Sequence, residues 1–169
     1  VGNRADGAGG GMFIIGSSPT IKSNTVVDND AAGAGEGVVL FGDARPLIAY
    51  NNIVLNSVGI RGDANFPPTL ESNNVWGNAA NYVGIRAGAS DLSADPLFAT
   101  GHYGSYYLSQ RLAGRPTSPL VNQGVRTAAG EGLAQLTTRP DSLPDQGLLD
   151  IGFHPPRPRF SALLPLLQR

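Results

Sequence analysis

The sequence has no cysteine, so disulfides, thiolate metal sites and thiol catalysis are all excluded. Charge is scarce as well. Only 15% of residues are charged, the formal net charge is -1, and Lys22 is the single lysine. Nothing here attracts a polyanion, so nucleic acid is not an expected partner. No apolar run approaches the ~18 residues of a membrane-spanning helix, so membrane insertion is not expected either. The first residues, Val1-Gly2-Asn3, carry neither an initiator methionine nor a signal-peptide pattern. They are expected to be a processed or trimmed end.

What is abundant is glycine (23) and proline (13) within 169 residues that are 41% hydrophobic. Neither follows the three-residue period of collagen, so both mark bends in a chain that can bury a core. The bends are ordered by an internal repeat. Pro19 to Asn29, Pro46 to Asn56 and Pro68 to Asn78 align without gaps. A second series of glycine-bounded strands accompanies them, starting at Gly11, Gly37, Gly59 and Gly84. Each unit holds runs of three to five β-branched or aromatic residues and no helical period. A unit this short cannot close its own core, but stacked units can.

The pattern predicts an all-β fold, a right-handed single-stranded parallel β-helix solenoid of four or five turns with an irregular C-terminal cap. Residues 1–110 form the coils, and residues 111–169 form a terminal coil, loops and a capping tail of the same domain. Ile21, Ile48 and Leu70 form one expected internal stack, and Val26, Ile53 and Val75 another. Met12, Val38, Ile60 and Ile85 form a third. Asn24, Asn51 and Asn73 close one strand of each unit, and Asn29, Asn56 and Asn78 the next. Asparagine suits such structural corners because it tolerates left-handed backbone and can bond from turn to turn.

Ser17 to Asn29, Tyr50 to Val54, and the later runs Asp95-Pro96-Leu97-Phe98, Ser118 to Gly124 and Asp145 to His154 resemble the secreted right-handed parallel β-helix repeat proteins. That broad family shares its architecture with pectate lyases and polygalacturonases. The resemblance covers roughly residues 10–155 and places this chain in the C-terminal part of such a protein. It implies an extracellular or cell-surface scaffold contacting polysaccharide. The alternative it implies is a divergent calcium-dependent polysaccharide lyase, or a glycoside hydrolase, whose cleft lies partly outside this chain. Fold alone does not choose among these.

Arg61 and Arg86 occupy matching places in the Gly-Ile-Arg series, where stacking would address repeated carboxylates on a glycan; a solvated or paired surface is the competing role. Tyr82, Tyr103, Tyr106 and Tyr107 offer aromatic faces with hydroxyls for sugar rings, or core packing instead. No cofactor is required, and calcium is the one candidate, at Asp91 and Asp95, which equally suit turns. Asp141, Asp145 and Asp150 are expected to anchor the terminal loop, while His102 and His154 are too far apart in sequence to suggest zinc or a triad.

Strand alternation places Phe13, Ile15, Val39 and Phe41 on the outside as one apolar patch. The expected cover is the segment of Phe160, Leu163 and Leu164, a second copy of the chain, or further coils of a parent protein.

Overall fold

The computed structural model describes residues 1–7, 9–32, 36–110 and 113–158. Their regular structure is fourteen short strands and no helix. In chain order these are β1 (Arg4–Ala5), β2 (Met12–Ile15), β3 (Thr20–Lys22), β4 (Thr25–Val27), β5 (Asp30–Ala31), β6 (Glu36–Phe41) and β7 (Leu47–Ala49). There follow β8 (Asn52–Val54), β9 (Val58–Arg61), β10 (Thr69–Glu71), β11 (Asn74–Trp76), β12 (Ala80–Val83), β13 (Phe98–Gly101) and β14 (Gly104–Leu108).

Three sheets are built from strands of successive repeats, in the orders β2-β6-β9-β12, β3-β7-β10 and β4-β8-β11. Every pairing within them is parallel. A hairpin cannot join parallel neighbours. The chain therefore winds, and the architecture is an all-β parallel β-helix of about three turns.

Register fixes the core. Ile21, Ile48 and Leu70 are direct partners across three turns, as are Val26, Ile53 and Val75. Ile48, Ile53, Ile60 and Val75 are completely buried. Each such side chain contributes about 1.5–3 kcal/mol over the exposed state. The third stack departs from expectation: Met12, Val38 and Ile60 are followed by Tyr82, not Ile85. Ile85 packs on the core from the loop beyond.

The coil is also shorter than the expected four or five turns. After β12 its ladders continue, among the described residues, through one parallel bridge from Leu92 to Asn74. The segments around Phe98 and Tyr106, expected as last rungs, instead pair antiparallel with each other as a hairpin of β13 and β14.

At the other end, β1 pairs in parallel with β5, so the first residues begin a turn of their own. The described residues from 113 to 158 are irregular and lie along the flank of the coil. Gly152 N donates to Tyr50 O at 2.9 Å, and Phe153 N donates to Thr25 Oγ1 at 3.0 Å. Lys22 Nζ reaches Glu131 Oε2 at 3.0 Å. Ala49, Tyr50, Ala128 and Leu149 form a small apolar cluster between flank and tail.

Candidate functional site

The corner asparagines form hydrogen-bonded ladders. In one column the backbone N and Nδ2 of Asn24 both donate to Asn51 Oδ1, at 3.0 and 2.9 Å. Asn51 does the same to Asn73 at 3.1 and 3.0 Å. Asn73 does so to Asp91 Oδ1 at 2.8 and 3.0 Å. A second column runs through Asn3, Asn29, Asn56 and Asn78. A backbone N–H can only donate, so its contact fixes each facing atom as oxygen and every amide points the same way.

The left-handed residue of each corner is not the asparagine but the one before it. Ser23, Tyr50 and Ser72 in one column, and Asp28, Leu55 and Gly77 in the other, have φ between 50° and 65°. The ladder needs the asparagine side chain, so the strained backbone falls on its predecessor.

Arg61 does not face outward as a free cation. Its Nε lies 2.6 Å from Oε1 of Glu36, which is fully buried. Arg86 does not stand above it, because β12 places Val83 opposite Arg61. Arg86 instead lines a cavity of about 540 Å³ at the Asp91 end of the coil, beside Pro67, Leu70 and Ile85.

Asp91 and Asp95, the calcium candidates, are engaged separately. Asp91 Oδ2 accepts from Tyr82 Oη at 2.8 Å and Gly88 N at 2.9 Å. With Asn73 on Oδ1, all four acceptor directions of the carboxylate are used. Asp95 Oδ1 caps its own turn by accepting Leu97 N. Among the described residues no group of three or more His, Asp or Glu is placed to hold a metal. Burial raises the Tyr82 phenol well above its ordinary value, and the Asp91 charge and hydrogen bond raise it further.

Of the outer apolar patch, Phe13, Ile15 and Phe41 are 43%, 60% and 63% exposed, and the two phenylalanine rings stack at 6.3 Å. Val39 is not part of that surface. It is 4% exposed, because its register neighbours on either side are the larger Phe13 and Arg61. The proposed cover, Phe160, Leu163 and Leu164, lies outside the described residues.

The tyrosines separate into two kinds. Tyr107 is buried and its hydroxyl accepts Tyr103 N at 3.2 Å. Tyr103 and Tyr106 are exposed, with His102 edge-on to Tyr103 and Phe98 edge-on to Tyr106. Together with Phe153, Pro155 and Val1 they line a hollow of about 220 Å³. An adjoining hollow of about 260 Å³ shares Val1, Tyr106 and Phe153 and reaches Asn3, Asn24, Thr25 and Asn29. Sequence reasoning missed Phe153. It arrives here only because the tail folds back across the whole coil, and local pattern carries no signal for that.

Sequence separation also concealed a buried constellation in the tail. Asp150 accepts hydrogen bonds from Gln110 Nε2 at 2.6 Å, from the Thr138 hydroxyl, and from Asn122 N at 2.8 Å. Asp145 Oδ2 accepts Asp150 N at 3.0 Å and lies 2.9 Å from His154 Nε2. His154 Nδ1 donates to Gly152 O. Burial first, and the Asp145 charge second, push the Asp150 carboxyl above its ordinary value. The arrangement pins the segment carrying Phe153 against the coil.

Fold and site together define a parallel β-solenoid with an aromatic hollow on its flank. No family model, curated protein or solved structure matches the chain. The functional reading therefore rests on this geometry.

Proposed function

We propose that this chain is a non-catalytic β-helix scaffold of an extracellular or cell-surface protein and that it contacts polysaccharide. The observation that carries the reading is the hollow of Tyr103, Tyr106 and Phe153. Exposed aromatic faces supply apolar area to the C–H face of a sugar ring, while tyrosine hydroxyls and the nearby Asn24 and Thr25 supply hydrogen bonds to its hydroxyls. The lyase reading of the same architecture has less support, since Arg61 is engaged by Glu36 and Arg86 lies elsewhere. No metal enters the proposal, because Asp91 has no acceptor direction left for one.

Affinity electrophoresis of the chain through neutral and acidic polysaccharides tests the reading. Retardation that Tyr103→Ala, Tyr106→Ala and Phe153→Ala each weaken, without a fall in melting temperature, supports it. Absence of retardation with every polysaccharide contradicts it. Release of unsaturated products from an acidic polysaccharide would establish the lyase instead.

A further inference from the structure

The two ends of the coil differ chemically. At one end Ile85 covers the core, Leu92 adds a last bridge, and Asp91 closes the asparagine column with a group that only accepts. At the other end β2, β3 and β4 each have a neighbour on one side only. Met12 and Ile21 are half-buried there, as Leu70 and Tyr82 are at the first end, so the difference between the ends lies in the corner groups. Among the described residues, Asn24 Oδ1 and Asn3 Oδ1 receive none of the paired backbone and amide donors that Asn51, Asn73, Asn29 and Asn56 each receive from the turn before.

We infer that this end is a docking face for one further parallel β-helical turn, whose two corner asparagines donate to Asn24 and Asn3. Three observations specify that partner. The free strand edges require a backbone laid parallel at about 4.8 Å. The half-buried Met12 and Ile21 favour inward apolar residues above them. The two corner oxygens match the paired backbone and amide donors of a corner asparagine, of which aspartate keeps only the backbone one. Register is specified too, because Gly2 N donates to Val27 O and Asp30 N to Asn3 O, so Val1-Gly2-Asn3 already lies over Val27-Asp28-Asn29. A second copy of this chain fits less well. Its closed end offers Asp91, whose carboxylate is an acceptor facing acceptors, and its open end offers the same two acceptor oxygens. This docking face does not rest on the polysaccharide reading but competes with it for Asn24, since Tyr106 and Phe153 line the hollow that reaches Met12 and Asn24.

The test extends the full chain, ahead of Val1, with a copy of its own residues 54–75. In that register the copies of Asn56 and Asn73 fall over Asn3 and Asn24, and those of Ile60, Leu70 and Val75 over Met12, Ile21 and Val26. The expected result is a melting temperature higher by about 4 °C or more. Amide exchange in β2 and β3 should slow at least about tenfold. The same extension carrying Asn56→Asp and Asn73→Asp in the added copy should give neither effect. An asparagine extension without the gain, or an aspartate extension with an equal gain, overturns the inference. So does sedimentation showing the unextended chain as a dimer that the added turn dissolves, since the face would then belong to a second copy.

Discussion

Asp91 Oδ1 lies 3.0 Å from Asn73 Nδ2 and ends a column that otherwise consists of asparagines. A ladder of amides can run on indefinitely, because each has both a donor and an acceptor. A carboxylate stops it, and the remaining Asp91 oxygen takes the Tyr82 hydroxyl and Gly88 N instead. Asp91→Asn keeps the shape but places an NH₂ against existing donors. The expected loss is about 1–3 kcal/mol of unfolding free energy, read from urea denaturation.

Asn51, like Asn56, is among the most heavily bonded ladder members. Its Nδ2 donates to Ile21 O, Ala49 O and Asn73 Oδ1, and its Oδ1 receives two donors from Asn24. Asn51→Ala leaves several buried groups unpaired and should cost about 3 kcal/mol or more. Asn65→Ala is the control. Asn65 bonds only within its exposed loop and to Arg45, so its loss should change stability by about 0.5 kcal/mol or less.

Gly59 lies in β9, packed closely against the next turn. A Cβ there would meet Asn81 O and Val75 Cγ1, each at 2.5 Å. Backbone oxygen cannot swing aside, so Gly59→Ala should destabilise by about 1–3 kcal/mol. Gly114→Ala should not match it through crowding, since nothing lies within 4 Å of its added Cβ, although its φ of 71° adds a small strain. Parallel thermal melts compare the two.

Tyr82 supplies a pH dependence. Its folded-state phenol is held above the ordinary value of 10.0 by burial and by Asp91. The folded state thus keeps a proton that the unfolded state loses. Stability from this group is fully present below pH 10.0 and declines as pH rises above it toward the higher folded value. Unfolding free energy measured from pH 8 to 11 should fall more steeply for the wild type than for Tyr82→Phe.

Much of the coil was legible because stacking forces equivalent residues into equivalent places. Aligned isoleucines and corner asparagines recur at the offset at which turns pair, and Ile48 to Leu70 and Asn51 to Asn73 show it directly. The same 22-residue offset carries Ile60 to Tyr82. The match of Gly84-Ile85-Arg86 to Gly59-Ile60-Arg61 was misleading because three residues of local identity outweighed a register shared by two other strand series. Val39 shows a second limit. Alternation gives the face of a side chain but not the size of its neighbours, so it cannot separate outward from exposed. The hollow of Tyr103, Tyr106 and Phe153 was half legible, since two members lie on one hairpin while the third arrives from 47 residues beyond Tyr106.

The most direct test of the parallel coil is a methyl NOE experiment on the chain labelled at Ile, Leu and Val. The expected result is that Ile48 contacts both Ile21 and Leu70 while Ile53 contacts both Val26 and Val75, as partners one turn above and one turn below. Ile48 contacting only one of its two partners, or backbone NOEs showing antiparallel pairing between β3, β7 and β10, would contradict the stacked-turn architecture.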